Sequence, residues 1–433
     1  MGRGVSPSVG LTHSFRAALR RLAKSDLRTL LAAVPGKHTK SYMAKPKPSK
    51  NSRCICGSGK LYRKCCRSKQ LPKGFIEKVR KIFGDRGNEE KQFIEDFGHV
   101  RPPMGLKTQG TAFVAIGGTI YKQSRPGNYT YLHAIHDHAL KFFGTPMLEE
   151  EEKKPFEHRH PALKWMELSV THTNRPKTST AAVGGIGAGA AWHRLAYDLY
   201  TIRDNAKLEA EMKIRLLDPT RFQAARHELY VAALCIAAGF ELQFEDESDG
   251  NKTHPEFIGT DKFSNAQIAV EAKSRHRKGV KGFPSGKDEA PGTTVGIRGL
   301  VTDAFKKSTD LPLYVFVDVN LPPADEAERK RWSAEINQTM GDLGQEGYDD
   351  PCPSNAIFFN NDPSHYMLEQ QVGEEENCIW FKPFHADKPK TPHPEGDVFE
   401  RLCKAHNQRI SAPKDFPKFR NPQWGQNGVG PLD

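Results

Sequence analysis

No stretch of the 433 residues is apolar over the length a membrane-spanning helix needs, about 20 residues. Hydrophobic residues make up 37% and charged ones 27%, which reads as a water-soluble, rather polar chain. Acidic residues are nearly missing from the first 73 positions, where Asp26 stands against 18 Lys and Arg, a net +17. Since the whole chain carries +12, residues 74–433 are left with −5. The basic character therefore belongs to the N-terminal arm. Such an arm suits nucleic acid or another anionic partner, or serves as a solvated tail. Cysteine is scarce outside one cluster: four of the eight lie between Cys54 and Cys66, while Cys235, Cys352, Cys378 and Cys403 are scattered. This excludes the disulfide framework of a small secreted domain and points to a reducing, cytoplasmic setting.

Residues 1–43 read as a basic extension. Phe15 to Val34 has the pattern of a basic amphipathic helix, rich in arginine and poor in acids, like an organellar transit segment. Met43 opens an alternative start, and the 42 residues before it are expected to be dispensable for folding. Lys45 to Lys50 alternates lysine with proline and reads as a linker.

Residues 51–69, NSRCICGSGKLYRKCCRSK, hold Cys54-x-Cys56, then eight residues, then Cys65-Cys66. Four thiolates at this spacing fit a closed tetrahedral Zn²⁺ site. Gly57 and Gly59 permit the tight reversal that returns the second pair to the metal. So short a segment has almost no core, so metal binding would supply its folding energy. The stretch resembles the SEC-C motif, CxCGSGKxYxxCC, throughout. The resemblance implies structural zinc on Cys54, Cys56, Cys65 and Cys66 and a docking or accessory module, with its protein partner unspecified.

The organising stretch is 222–275. Leu229, Ala232, Ala233 and Ile236 recur at helical spacing, and Gly239 reads as the stop. Phe240 to Phe244 reads as a strand, His254-Pro255-Glu256-Phe257-Ile258 opens a second, and Gln267 to Lys273 is a third. Residues two apart on a strand share a face, so Glu271 and Lys273 stand together while Ala272 turns to the core. A glutamate–lysine pair on a strand is ordinarily a solvated ion pair. Here the buried-looking strand, the upstream Pro255-Glu256 and the helical Glu228 set it apart. One carboxylate from each of two strands, with a lysine beside them, suits metal-assisted phosphodiester hydrolysis.

Glu228, Pro255-Glu256 and Glu271-x-Lys273, in that order, resemble the PD-(D/E)xK nucleases of the restriction-endonuclease-like superfamily. The resemblance implies that Glu256, Glu271 and the Ala272 carbonyl hold Mg²⁺. Lys273 would position or activate the attacking water, and Glu228 would support the site through water. Glu256 departs from the pattern, standing where aspartate is usual.

Elsewhere the signals are weaker. Ala112 to Tyr121 reads as a strand and Tyr131 to Phe143 as a helix, whose His133, His136 and His138 lack the carboxylate or cysteine partners of a metal site. The run 181–192, AAVGGIGAGAAW, lacks the preceding strand of a phosphate-binding loop. It reads instead as a flexible turn before a helix from Trp192 to Asn205. Past Lys273, the loop residues Arg275, Arg277, Lys278 and Lys281 are candidate nucleic-acid contacts, which would supply affinity and position without reading sequence. Leu311 to Leu321 reads as a buried strand, Arg331 to Leu343 as a helix and Asn355 to Asn360 as a strand.

The expected architecture is α/β (α+β), a restriction-endonuclease-like core with a mixed central sheet and flanking helices. Its parts are a basic extension (1–43), a zinc knuckle (44–72), a mainly helical linker domain (73–215), the nuclease-like domain (216–390) and a loosely packed tail (391–433). The expected function is Mg²⁺-dependent hydrolysis of nucleic-acid phosphodiester bonds, with a homodimer allowed and no membrane partner. The rival expectation is a non-catalytic zinc-binding adaptor that docks a protein or ribosomal partner.

Overall fold

The computed structural model describes residues 91–100, 130–173, 185–206, 208, 210–244, 254–277, 294–370, 379–410 and 412–413. Over 104–108, 111–116 and 119–123 it describes the backbone alone. The chain divides into two compact units, residues 23–92 and a larger one of 1–22 with 93–433. The expected knuckle cysteines, Lys278 and Lys281 lie outside the described residues.

In the larger unit, β1 (Met104–Thr108), β2 (Thr111–Ile116) and β3 (Thr119–Gln123) form an antiparallel meander. The single strand expected over 112–121 is thus two antiparallel strands, β2 ending at Ile116 and β3 opening at Thr119. Five helices follow: α1 (Tyr131–Phe143), α2 (Thr145–Lys153), α3 (Pro161–Thr173), α4 (Gly187–Asn205) and α5 (Ala210–Leu217). Then come α6 (Phe222–Ala237), β4 (Phe240–Phe244), β5 (Phe257–Asp261), β6 (Gln267–Ser274), α7 (Arg298–Phe305), β7 (Leu313–Asp318), α8 (Glu326–Leu343), β8 (Ala356–Asn361), β9 (Trp380–His385) and α9 (Val398–Gln408).

β4 to β9 make one six-stranded mixed sheet in sequence order. The β4–β5, β5–β6 and β8–β9 pairs are antiparallel, and β6–β7 and β7–β8 are parallel. All six residues of β7 are buried, as are all six of β8. Strands covered on both faces need no alternation, which is why Leu311 to Leu321 reads as a continuous apolar run.

Alternation sorts each strand's side chains between two cores. Ile268, Val270, Ala272, Tyr314, Phe316 and Phe358 join the core built from α1, α3, α4, α6 and α9. Ala269, Val315, Val317, Ile357 and Phe359 join the core under α7 and α8. Helix α6 is the centre of the first core. From Leu229 to Ala237 every residue but Tyr230 is buried, the mark of a helix covered on all sides. It ends at Gly239, whose φ of +97° a side chain would strain. Helix α8 lies on the surface and starts with a side-chain cap, Asp325 accepting from the Glu328 N–H at 2.8 Å.

Two expectations fall differently. Helix α4 starts at Gly187, five residues before Trp192, so the glycine-rich run is not a flexible turn there. A Cβ on Gly187 would stand 2.3 Å from the Met367 carbonyl oxygen, so glycine is needed for the backbones to approach. The Gly187 and Ala188 N–H groups bond the Gln370 and Leu368 carbonyls, which occupies the donors a phosphate would use. The stretch 391–433, expected to be loosely packed, contains α9, which buries Val398, Leu402 and Ala405. Its i, i+4 spacing is brief and flanked by proline, asparagine and glycine, which hides it in the sequence.

A buried ion-pair network joins α4, α6 and the end of α9 around a cavity lined by both charged and aromatic side chains. Asp198 pairs with Arg226 at 2.7 Å and with Arg409, and Arg194 pairs with Asp362 at 2.7 Å. Among the described residues no helix is long and apolar enough to cross a membrane.

Candidate functional site

Glu271 lies in the middle of the sheet because β6 pairs with β5 on one side and β7 on the other. Its side chain is fully buried. A buried carboxylate requires cationic partners, since an isolated one is strongly disfavoured. Two ammonium groups meet it at one oxygen: Lys273 Nζ stands 2.5 Å from Oε1 and Lys307 Nζ 3.2 Å from the same atom. The other oxygen, Oε2, is buried and receives no hydrogen bond.

Glu256 sits in the bend that precedes β5, not within the strand. The Glu256 N–H bonds the Val270 carbonyl at 2.9 Å, which fixes it beside the residue before Glu271. Burial pushes the Glu256 carboxyl up to about 8, and the negative charges of Glu228 and then Glu271 push the same way. Lys273 and Lys307 act against them. Three carboxylates from α6, the bend before β5 and β6 thus share one electrostatic neighbourhood. Glu228 is anchored there by Arg215 of α5, 2.7 Å from its Oε1.

Lys273 feels burial, which pulls its ammonium down, but the Glu271 carboxylate and its hydrogen bond outweigh this, with Glu256 and Glu228 adding. Its pKa ends above the ordinary lysine value, so the group is a fixed cation. Among the described residues no group of three or more His, Cys, Asp or Glu side chains is arranged to hold a metal.

The structure sets Arg275 and Arg277 against backbone carbonyls. Arg277 is buried, with Nε donating to the Asn320 carbonyl at 2.6 Å and its own N–H to Gln223 Oε1 at 3.2 Å. It braces the ends of β6 and β7 and does not present its guanidinium as a surface phosphate contact. Arg275 turns to the chain before α7, with Nη1 2.7 Å from the Val295 carbonyl oxygen. That position needs Gly296, whose φ is +59° and where a Cβ would fall 1.4 Å from Nη1. A basic loop looks the same in sequence whether its arginines face water or backbone carbonyls.

The histidines of α1 have local roles. His136 Nδ1 accepts from Trp192 Nε1 at 2.9 Å, and His133 Nδ1 lies 2.8 Å from the Thr130 hydroxyl. Burial pushes His138 down to about 4.

Two members of the centre, Arg215 and Lys307, have no motif to announce them. Lys307 follows α7, an eight-residue helix, where a lysine reads as a favourable charge at a helix C-terminus.

Comparison with protein families matches residues 51–68 to the SEC-C motif. No curated protein and no solved structure matches the chain.

Proposed function

We propose that the centre around Glu271 is a Mg²⁺-dependent phosphodiesterase site acting on nucleic acid, set in a restriction-endonuclease-like core. The observation that carries this reading is the convergence of Glu228, Glu256 and Glu271 with Lys273. They come from a helix, a pre-strand bend and a strand, in the order that the resemblance implies.

The residues fit a hard divalent cation. Glu271 Oε2 is buried without a hydrogen bond, and Glu256 is raised partly by two neighbouring negative charges. Glu256, Glu271 and the Ala272 carbonyl would hold the ion, with waters completing its shell. When bound, Mg²⁺ supplies an acidified water and charge compensation on the phosphate. Lys273, held as a cation, orients the attacking water and faces the charge developing on the phosphate. Its raised pKa makes it a poor acceptor for a proton. Glu228, tied to Arg215, supports the far side of the centre through water.

The test is cleavage of plasmid and single-stranded substrates with Mg²⁺ or Mn²⁺, comparing wild type with Glu271→Ala and Lys273→Ala. Cleavage by wild type alone is expected. Equal background from all three would eliminate the hydrolase.

One observation favours the alternative, a non-catalytic adaptor. Glu228, Glu256 and Glu271 are matched by Arg215, Lys273 and Lys307, so the centre can balance its charge without an added ion. In that reading the SEC-C stretch docks a protein partner and the sheet is a scaffold. In both, Cys54, Cys56, Cys65 and Cys66 hold zinc, and the basic arm meets an anionic partner.

A further inference from the structure

Lys307 stands just past α7, with its N–H bonded to the Ala304 carbonyl at 3.1 Å. Its ammonium has two partners. It donates to the His254 carbonyl at 2.6 Å, and it stands 3.2 Å from Glu271 Oε1. His254 is two residues before Glu256. One side chain therefore spans from the end of a helix to both segments that deliver the paired carboxylates. Its side chain is 19% exposed and that of Glu271 fully buried, so water screens the contact weakly.

We propose that Lys307 is a positioning residue that clips the segment carrying Glu256 to Glu271 and so sets the separation of the two carboxylates. Its consequence for cation binding rests on the hydrolase reading; the clip itself does not. Lys273 and Lys307 both stand at Oε1 of a carboxylate whose two oxygens are buried. Without Lys307 the segment carrying Glu256 loses the side chain that ties it to the end of α7 and to Glu271. The N–H bond from Glu256 to Val270 would then hold that segment without the support of the lysine.

A lysine suits this task. A neutral amide at position 307 could bond the His254 carbonyl but would not neutralise Glu271. A methionine could do neither. The two variants separate the bond from the charge.

The experiment is hydrogen–deuterium exchange of the full chain in chelator, without cation or substrate, on wild type, Lys307→Met and Lys307→Gln. The Glu256 amide is expected to exchange about tenfold or more faster in Lys307→Met, with β7 amides unchanged and Lys307→Gln closer to wild type. Titration with Mn²⁺ alone should show affinity falling about tenfold in Lys307→Met. Unchanged Glu256 exchange would overturn the clip, as would tighter Mn²⁺ binding with unchanged exchange, which would make Lys307 a competitor of the cation. If Lys307→Met does not fold, Lys307→Gln decides by exchange alone: Glu256 exchanging about threefold or more faster than wild type supports the clip, and unchanged exchange overturns it. If wild type neither binds Mn²⁺ nor cuts, the hydrolase reading fails while the exchange result still judges Lys307.

Discussion

The Glu256 N–H is bonded to the carbonyl oxygen of Val270 at 2.9 Å. That bond brings a glutamate from a pre-strand bend to the residue preceding Glu271, and everything proposed for the centre depends on the resulting proximity.

The first expectation concerns pH. Glu256 titrates at about 8 in the folded chain, above its ordinary value of 4.5. A carboxyl raised on folding favours the folded state fully below the unfolded value, and that contribution is lost as pH rises through the folded one. In chelator, the melting temperature of wild type should fall between pH 5 and about 8 relative to Glu256→Gln. Parallel pH curves for the two proteins would contradict the shared charge.

The second concerns Glu271. Glu271→Ala leaves the Lys273 and Lys307 ammonium groups, each largely buried, without their carboxylate. The loss should cost about 2–4 kcal/mol in urea unfolding, since breaking a buried pair strands its partner. Glu271→Gln keeps the shape and should cost less. A change below about 0.5 kcal/mol in Glu271→Ala would mean the lysines reach water freely.

The third tests the ion-pair network. Asp198 serves two buried guanidinium groups, Arg226 and Arg409. Asp198→Asn should destabilise by about 3–5 kcal/mol in chemical denaturation. Combining it with Arg409→Met should recover part of that loss, and strict additivity would show that the pair is not coupled.

The fourth tests the contact between Gly296 and Arg275. Gly296→Ala meets both a left-handed backbone and the Arg275 guanidinium. The backbone alone costs about 1–2 kcal/mol, and the clash adds to it. In an Arg275→Ala background the cost should shrink toward the backbone value, which a double-mutant cycle measures.

The fifth concerns the SEC-C stretch. About one zinc per chain is expected from four thiolates. Metal analysis should show it lost in Cys54→Ser/Cys65→Ser, and retained zinc would overturn the ligand set.

How much of this was legible depends on how local the cause was. Helix α6 and its stop at Gly239 were readable because the apolar spacing and the backbone demand lie within a few residues. β7 was readable because burial on both faces writes a continuous apolar run. The second strand was expected from His254, but it begins at Phe257, because Glu256 occupies a bend that its residue type does not disclose. β9 escaped because Pro383 and Lys382 interrupt its pattern. Glu228, Glu256, Glu271 and Lys273 could be named from their order along the chain. Arg215 and Lys307 could not, since only tertiary packing brings them to those carboxylates. The arginines past β6 could be counted, but their orientation was fixed by carbonyls at Asn320 and Val295, distant in sequence.

One core gathers helices from residues 131–237 and from 398–408 over the same face of the six-stranded sheet. Arg401 of the last helix adds to this, bonding the Ala238 carbonyl at 2.9 Å and Asp261 at the end of β5. The carboxylate centre is consequently not a portable cassette. A fragment trimmed to 216–390 would lose its roofing from both flanks and bare a wide apolar surface. Grafting or expressing the centre alone would yield aggregates, so any activity it has must be inherited with the scaffold that precedes and follows it.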